Sequence, residues 1–75
     1  MEMADVTIHI DEAVDHERRT RIADMVRARK GVASVCHHDE KPHLMIVEFD
    51  PDRVTSRDLL QIVLGQGIHG ELIGL

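Results

Sequence analysis

Within 75 residues the apolar positions switch from a period of two to a helical period and back, twice, and that rhythm leaves few folds open. In "DVTIHIDE" Val6, Ile8 and Ile10 alternate with Thr7, His9 and Asp11, the pattern of a half-buried strand. From about Asp15 to Lys30 the period becomes helical, with Ile22, Met25, Val26 and Arg29 on one stripe, Ala23 beside them and Gly31 as a stop. "VASVCHH" reads as a second strand, "DEKP" as a four-residue turn and "HLMIVEF" as a third strand. Met45, Val47 and Phe49 fall on one face of that strand, and Leu44, Ile46 and Glu48 on the other. A second helix follows Thr55, with Asp58 in a capping-box position and Val54 and Leu59 placed to pack as a hydrophobic staple. Its stripe runs through Leu59, Ile62, Val63 and Gln66 and stops at Gly65 and Gly67. "IHGELIGL" supplies a last strand. The order is βαββαβ, an α+β fold in a single domain spanning 1–75.

Composition removes several functions. Phe49 is the only aromatic residue, so the stacking platforms of a single-strand binder are missing. A formal charge of −5 opposes phosphate. Nucleic acid is therefore not an expected partner. Cys36 is the only cysteine and has no partner for an internal disulfide. The start, "MEMADVTIHIDE", lacks the basic and apolar runs of a signal peptide, and no segment reaches membrane-span length. A cytoplasmic location is the expectation. No nucleophile elbow, phosphate loop or carboxylate pair points to an enzyme.

The stretch with the most chemistry is "VCHHDEKPH", Val35 to His43, with one cysteine and three of the chain's six histidines. It reads either as a metal site or as a polar, solvated hairpin tip. Cys36 reads more readily as a buried or half-buried small apolar residue than as a nucleophile, because no base–acid pair orients it. Met25 and Met45 lie on core parity and read as packing.

The whole pattern resembles the heavy-metal-associated domain, the module of copper chaperones and metal-pumping ATPases. "VTIHIDEAVDHERRTRIADMVRARKGVASV" matches that family's first strand, loop, helix and "GVxxV" second strand without a gap, and "FDPDRVTSRDLLQIVLGQGIHGEL" matches its ending. The resemblance implies a ferredoxin-like two-layer sandwich, with a four-stranded antiparallel sheet in the order 4-1-3-2 and both helices on one face. The departure is at the family's Met-x-Cys-x-x-Cys loop. Its Met falls on Ala13, its first Cys on Asp15 and its second on Arg18, within "AVDHER", and its nearby Tyr falls on Ile68. A carboxylate and a guanidinium cannot replace the two thiolates that hold Cu(I). "DHER" also reads simply as acidic residues stabilising a helix start, with Arg18 paired locally.

On the topology that the resemblance implies, His9, His16, His37, His38, His43, His69 and Cys36 all lie toward one end. His9 and His69 would be cross-strand neighbours, about 5 Å apart at Cβ. With "DEKP" as a four-residue loop, His38 and His43 stand opposite each other, and Cys36 shares a face with His38. Cys36, His38 and His43 then make a mixed sulfur–nitrogen ligand set, and a slip of one residue turns His37 outward instead of His38. Such donors suit a divalent transition metal (Zn, Cu(II), Ni or Co) better than Cu(I). His9 and His16 are expected to matter less. Leu44, Ile46 and Ile73 fall on the sheet face away from the helices and mark a surface for a homodimer or a metal-transport protein; scattered surface aliphatics would look the same. The reading is a small soluble metal-handling protein with an atypical Cys/His site. The alternative is a heavy-metal-associated-like domain that binds protein without metal. Imidazoles with an ordinary pKa near 6.5 crowd one end, so binding there should weaken from about pH 7 to 5.5 while an aliphatic core persists.

Overall fold

The computed structural model describes residues 2–73. Its order is β1 (Ala4–Ile10), α1 (His16–Arg27), β2 (Val32–His38), β3 (Lys41–Phe49), α2 (Ser56–Leu64) and β4 (Gly70–Ile73). The sheet runs β2-β3-β1-β4, which is the expected 4-1-3-2 order read from the other edge, and every adjacent pair is antiparallel. Val6, Ile8 and Ile10 of β1, Val35 of β2 and Met45, Val47 and Phe49 of β3 point to one side. There they meet Ile22, Ala23 and Val26 of α1 and Leu59 and Val63 of α2 in one core. This is the ferredoxin-like sandwich. No helix among the described residues is long and apolar enough to cross a membrane.

Local chemistry explains the element ends. Thr55 and Asp58 form the reciprocal capping box at α2, and Val54 and Leu59 are both buried. Gly31 has φ +101, and a Cβ there would lie 2.9 Å from Val54 Cγ1, so only glycine serves. Gly70 meets a different constraint: a Cβ would stand 2.6 Å from the His9 carbonyl oxygen, where β4 closes on β1.

Several expectations need correction. Helix α1 ends at Arg27 rather than near Lys30. Its buried stripe is Arg19, Ile22, Ala23 and Val26, so Met25 is 45% exposed and Arg29 is at the surface. The apolar face is centred one position round from the expected one, and the heptad-like spacing 19–22–26 brings a charged residue inside. The turn is the two residues Asp39 and Glu40, and Lys41 and Pro42 belong to β3. A register shift between His37 and His38 makes room for this: His37 pairs with Met45, whereas His38 pairs with Lys41. Pro42 and His43 consequently face no register partner on either neighbouring strand, which is where a residue without an N–H can sit. Cys36 is exposed, neither buried nor half-buried. Of the expected last strand, residues 74–75 lie outside the described residues.

Candidate functional site

The loop between β1 and α1 is where the resemblance places thiolates. Asp15 instead caps α1, its Oδ1 accepting the Arg18 N–H at 2.8 Å. The Arg18 guanidinium reaches across to donate to the Gln66 carbonyl at 2.9 Å, a long-range tie rather than a local pair. Ile68 is buried in the core.

The next residue changes the character of this end. Arg19 is 2% exposed, and its guanidinium lies between loop and hairpin. It donates to the Val14 carbonyl at 2.9 Å, to His37 Nδ1 at 3.1 Å and to Asp39 Oδ1. Asp39 Oδ1 also accepts from His16 Nδ1 at 2.8 Å, and the His16 and His37 rings are 6.0 Å apart. A fixed cation thus occupies the space that loop and hairpin enclose. Its effect on the neighbours follows from charge and hydration. Burial, aided by Arg19, lowers the His37 pKa. The His16 hydrogen bond, more than Arg19, lowers that of Asp39. Because an N–H of Arg19 points at His37 Nδ1, that nitrogen is the acceptor, and the ring proton of neutral His37 sits on Nε2. Neither nitrogen of His37 then has a lone pair free.

A second group of imidazoles faces the other way. His43 Nδ1 is 2.7 Å from the Ile10 carbonyl oxygen, which can only accept, so Nδ1 carries the proton and Nε2 keeps its lone pair. His9 Nδ1 lies 3.3 Å from Asp11 Oδ1 and has the same polarity. The two rings stack at 5.7 Å with planes 13° apart. His69 is held by Glu12, through the backbone N–H at 2.8 Å and through Nδ1 at 2.7 Å. These two bonds, the backbone one foremost, lower the Glu12 pKa to about 2, and the Glu12 carboxylate raises that of His69. The expected His9–His69 pair is not made: β4 begins at Gly70, and His9 pairs with Glu71.

The four residues singled out by sequence therefore go to different places. Cys36 stands on the open sheet face opposite Ile46. His37 turns toward Arg19. His38 is exposed across from Lys41, not His43, because the turn is two residues shorter than expected. His43 turns toward His9. No three His, Cys, Asp or Glu side chains among the described residues converge to enclose a metal ion. Sequence reasoning missed Arg19 and Asp39. The trace of Arg19 was available: it sits three residues before Ile22 and seven before Val26, a charge on the core stripe. The open face carries a row across all four strands, Cys36, Ile46, Thr7 and Ile73, with Ile46 45% and Ile73 39% exposed.

No family model matches the chain, and no curated protein sequence matches it. Solved structures do. The chain is similar to oxidised MerP from Ralstonia metallidurans CH34, with a TM-score of 0.86 at 15% identity over 97% of this chain and 100% of that one. It is similar to a copper binding domain from HMA7, a P-type ATPase, with a TM-score of 0.83 at 14% identity over 93% of each chain. The N-terminal soluble domains of Bacillus subtilis CopA give 0.76 at 14% identity, over 91% of this chain and 46% of that one. At such identities the likeness is one of fold. With the capped, arginine-filled loop described above, the chain has the heavy-metal-associated fold without the paired thiolates.

Proposed function

We propose that this chain is a small, single-domain metal-handling protein that takes a borderline divalent ion at its imidazole-rich end and not Cu(I) at the loop before α1. The observation that carries this reading is the gathering of all six histidines at one end of the sandwich. They come from the end of β1, the start of α1, the β2–β3 hairpin and the entry to β4. Neutral imidazole is a good ligand for Zn(II), Ni(II), Co(II) and Cu(II). Cys36 and His38, both exposed on β2, and His43 on β3 are the candidate donors from the hairpin, and His37 joins them only if Arg19 releases it. The likeness to MerP, HMA7 and CopA supports the metal-handling class. A cytoplasmic protein that meets a metal-transport partner is the setting this reading favours.

A titration of the chain with Zn(II), Ni(II) or Co(II), followed by amide shifts, tests it. Shifts are expected at residues 9–16, 36–43 and 69 and not around Asp50 to Asp58 at the far end. Competition with a Cu(I) chelator should show at best weak binding. Stoichiometric, tight Cu(I) uptake centred on Asp15 would overturn the reading.

A second reading rests on a specific observation. Arg19 already supplies a fixed cation inside the loop–hairpin space, and Ile46, Ile73 and Cys36 lie exposed in one row. On that reading the domain binds protein, itself or a partner, without metal. Sedimentation with and without a chelator separates the two, since association by this face alone is indifferent to the chelator.

A further inference from the structure

We propose that His9 and His43 together form a two-imidazole site for a borderline divalent cation. This deepens the metal-handling reading and rests on it. The two residues come from adjacent central strands: His9 pairs with Leu44, and His43 is the residue just before it on β3. Their rings are already stacked, 5.7 Å apart and 13° from parallel. Both are partly buried, which lowers the entropy lost when a ligand fixes them.

The hydrogen bonds give these rings the arrangement of metal ligands. Ligating histidines donate their other ring N–H to a carbonyl or a carboxylate, which fixes the tautomer and makes the free nitrogen more basic. His43 donates Nδ1–H to the Ile10 carbonyl at 2.7 Å, and His9 donates to Asp11 Oδ1 at 3.3 Å. Both Nε2 lone pairs are left over. The carboxylate of Asp11 beside His9, and Glu71 across from it on β4, make the surroundings acidic. No arginine or lysine is hydrogen-bonded to either ring among the described residues, in contrast to His37. Two nitrogens on one tetrahedral metal, at ~2.0–2.1 Å each, lie ~3.3 Å apart. The rings must therefore tilt together when the ion binds. With only two protein donors, water fills the other positions, and the ion stays exchangeable.

The experiment uses the intact chain and Zn(II) or Ni(II) alone. Calorimetric titration is paired with long-range proton–nitrogen correlation of the histidine rings. His9→Gln and His43→Gln should each weaken Zn(II) binding at least about tenfold, and Asp11→Leu about tenfold through loss of the ring's anchor. In the unmutated protein Zn(II) should shift Nε2 of His9 and His43 while both Nδ1 stay protonated. This readout stands even if a variant folds poorly. If Zn(II) binds but those Nε2 signals do not move, the His9–His43 site is overturned and the metal-handling reading stands. The same follows if Cys36→Ser or His38→Gln weakens binding and His9→Gln does not, or if all six histidines contribute equally. If the intact chain binds neither Zn(II) nor Ni(II), both fail together.

Discussion

Two pairs of imidazoles lie at the same end of this domain at nearly the same ring separation, and they differ at one ring, His37. His16 and His37 are 6.0 Å apart, and His9 and His43 are 5.7 Å apart. In the first pair the buried Arg19 donates into His37 Nδ1 and thereby consumes the lone pair that a metal would need. In the second, oxygens accept from both rings and leave Nε2 free. Proximity of histidines therefore does not make a metal site. The group on the far nitrogen, donor or acceptor, decides what the near nitrogen can do.

The largest effect is expected from removing the residue that sets the contrast. Arg19→Met takes a fully buried guanidinium from the Val14 carbonyl, Asp39 and His37. It should cost about 2–3 kcal/mol, at the low end for a buried pair because Asp39 is largely exposed. Urea unfolding measures the loss. The same variant frees His37 Nδ1, so it should gain a Zn(II)-dependent shift at that ring nitrogen, which in the unmutated protein is held by Arg19. A folded Arg19→Met protein with no such gain would show that the guanidinium is not what separates the pairs.

Gly70→Ala acts on the other pair. Its Cβ would meet the His9 carbonyl oxygen at 2.6 Å, so β4 or β1 must shift. A cost of about 1–3 kcal/mol is expected, as for overpacking. Chemical shifts should change at His9 and His43 and leave His16 and His37 in place. Changes spread evenly over all four would mean that the two pairs are mechanically one unit.

Acid provides a smaller test. His37 has its pKa lowered in the folded state, from an ordinary value of 6.5, by burial and then by Arg19. The unfolded chain therefore takes up a proton first as pH falls through 6.5, and the fold loses stability until His37 itself protonates. His37 lies outside the aliphatic core but is half-buried beside Arg19, and there the expectation of a pH-indifferent fold does not hold. Urea midpoints at pH 7.5 and 5.5 should differ less in His37→Gln than in the parent. An unchanged difference would place the pH dependence elsewhere.

The smallest effect concerns Glu12 and His69, an exposed pair. Glu12 has its pKa lowered from 4.5 to about 2, so its contribution is present above 4.5 and is lost as pH falls toward 2. His69 has its pKa raised from 6.5, so its contribution is present below 6.5 and is lost as pH rises through the raised value. The pair acts most fully between about 4.5 and 6.5, the window common to both. Glu12→Gln should return His69 to ordinary titration in an NMR pH series, with little change in unfolding. A His69 pKa that stays raised in Glu12→Gln would point to Asp11 as the main neighbour.

The apolar periods of this sequence determined the element order, the capping box at Thr55 and the core faces of β1, β3 and α2. Those features follow from residues close in the chain, where spacing and direction are linked by backbone geometry. The resemblance of the assembled pattern carried the sheet order. The site was less legible, because it depends on where two strands stop pairing. Shortening the turn to Asp39 and Glu40 set His38 across from Lys41 and turned His43 toward His9, and no local period encodes that register shift. Arg19 was visible as a charge on the core stripe of α1, but its partners His37 and Asp39 lie 18 and 20 residues away. Sequence, through the fold that its pattern resembles, determined that six imidazoles would gather at one end of a ferredoxin-like sandwich. Only the tertiary structure decided which of them keep a lone pair, because a hydrogen bond across the fold, from a guanidinium or to a carbonyl, fixes which ring nitrogen holds the proton.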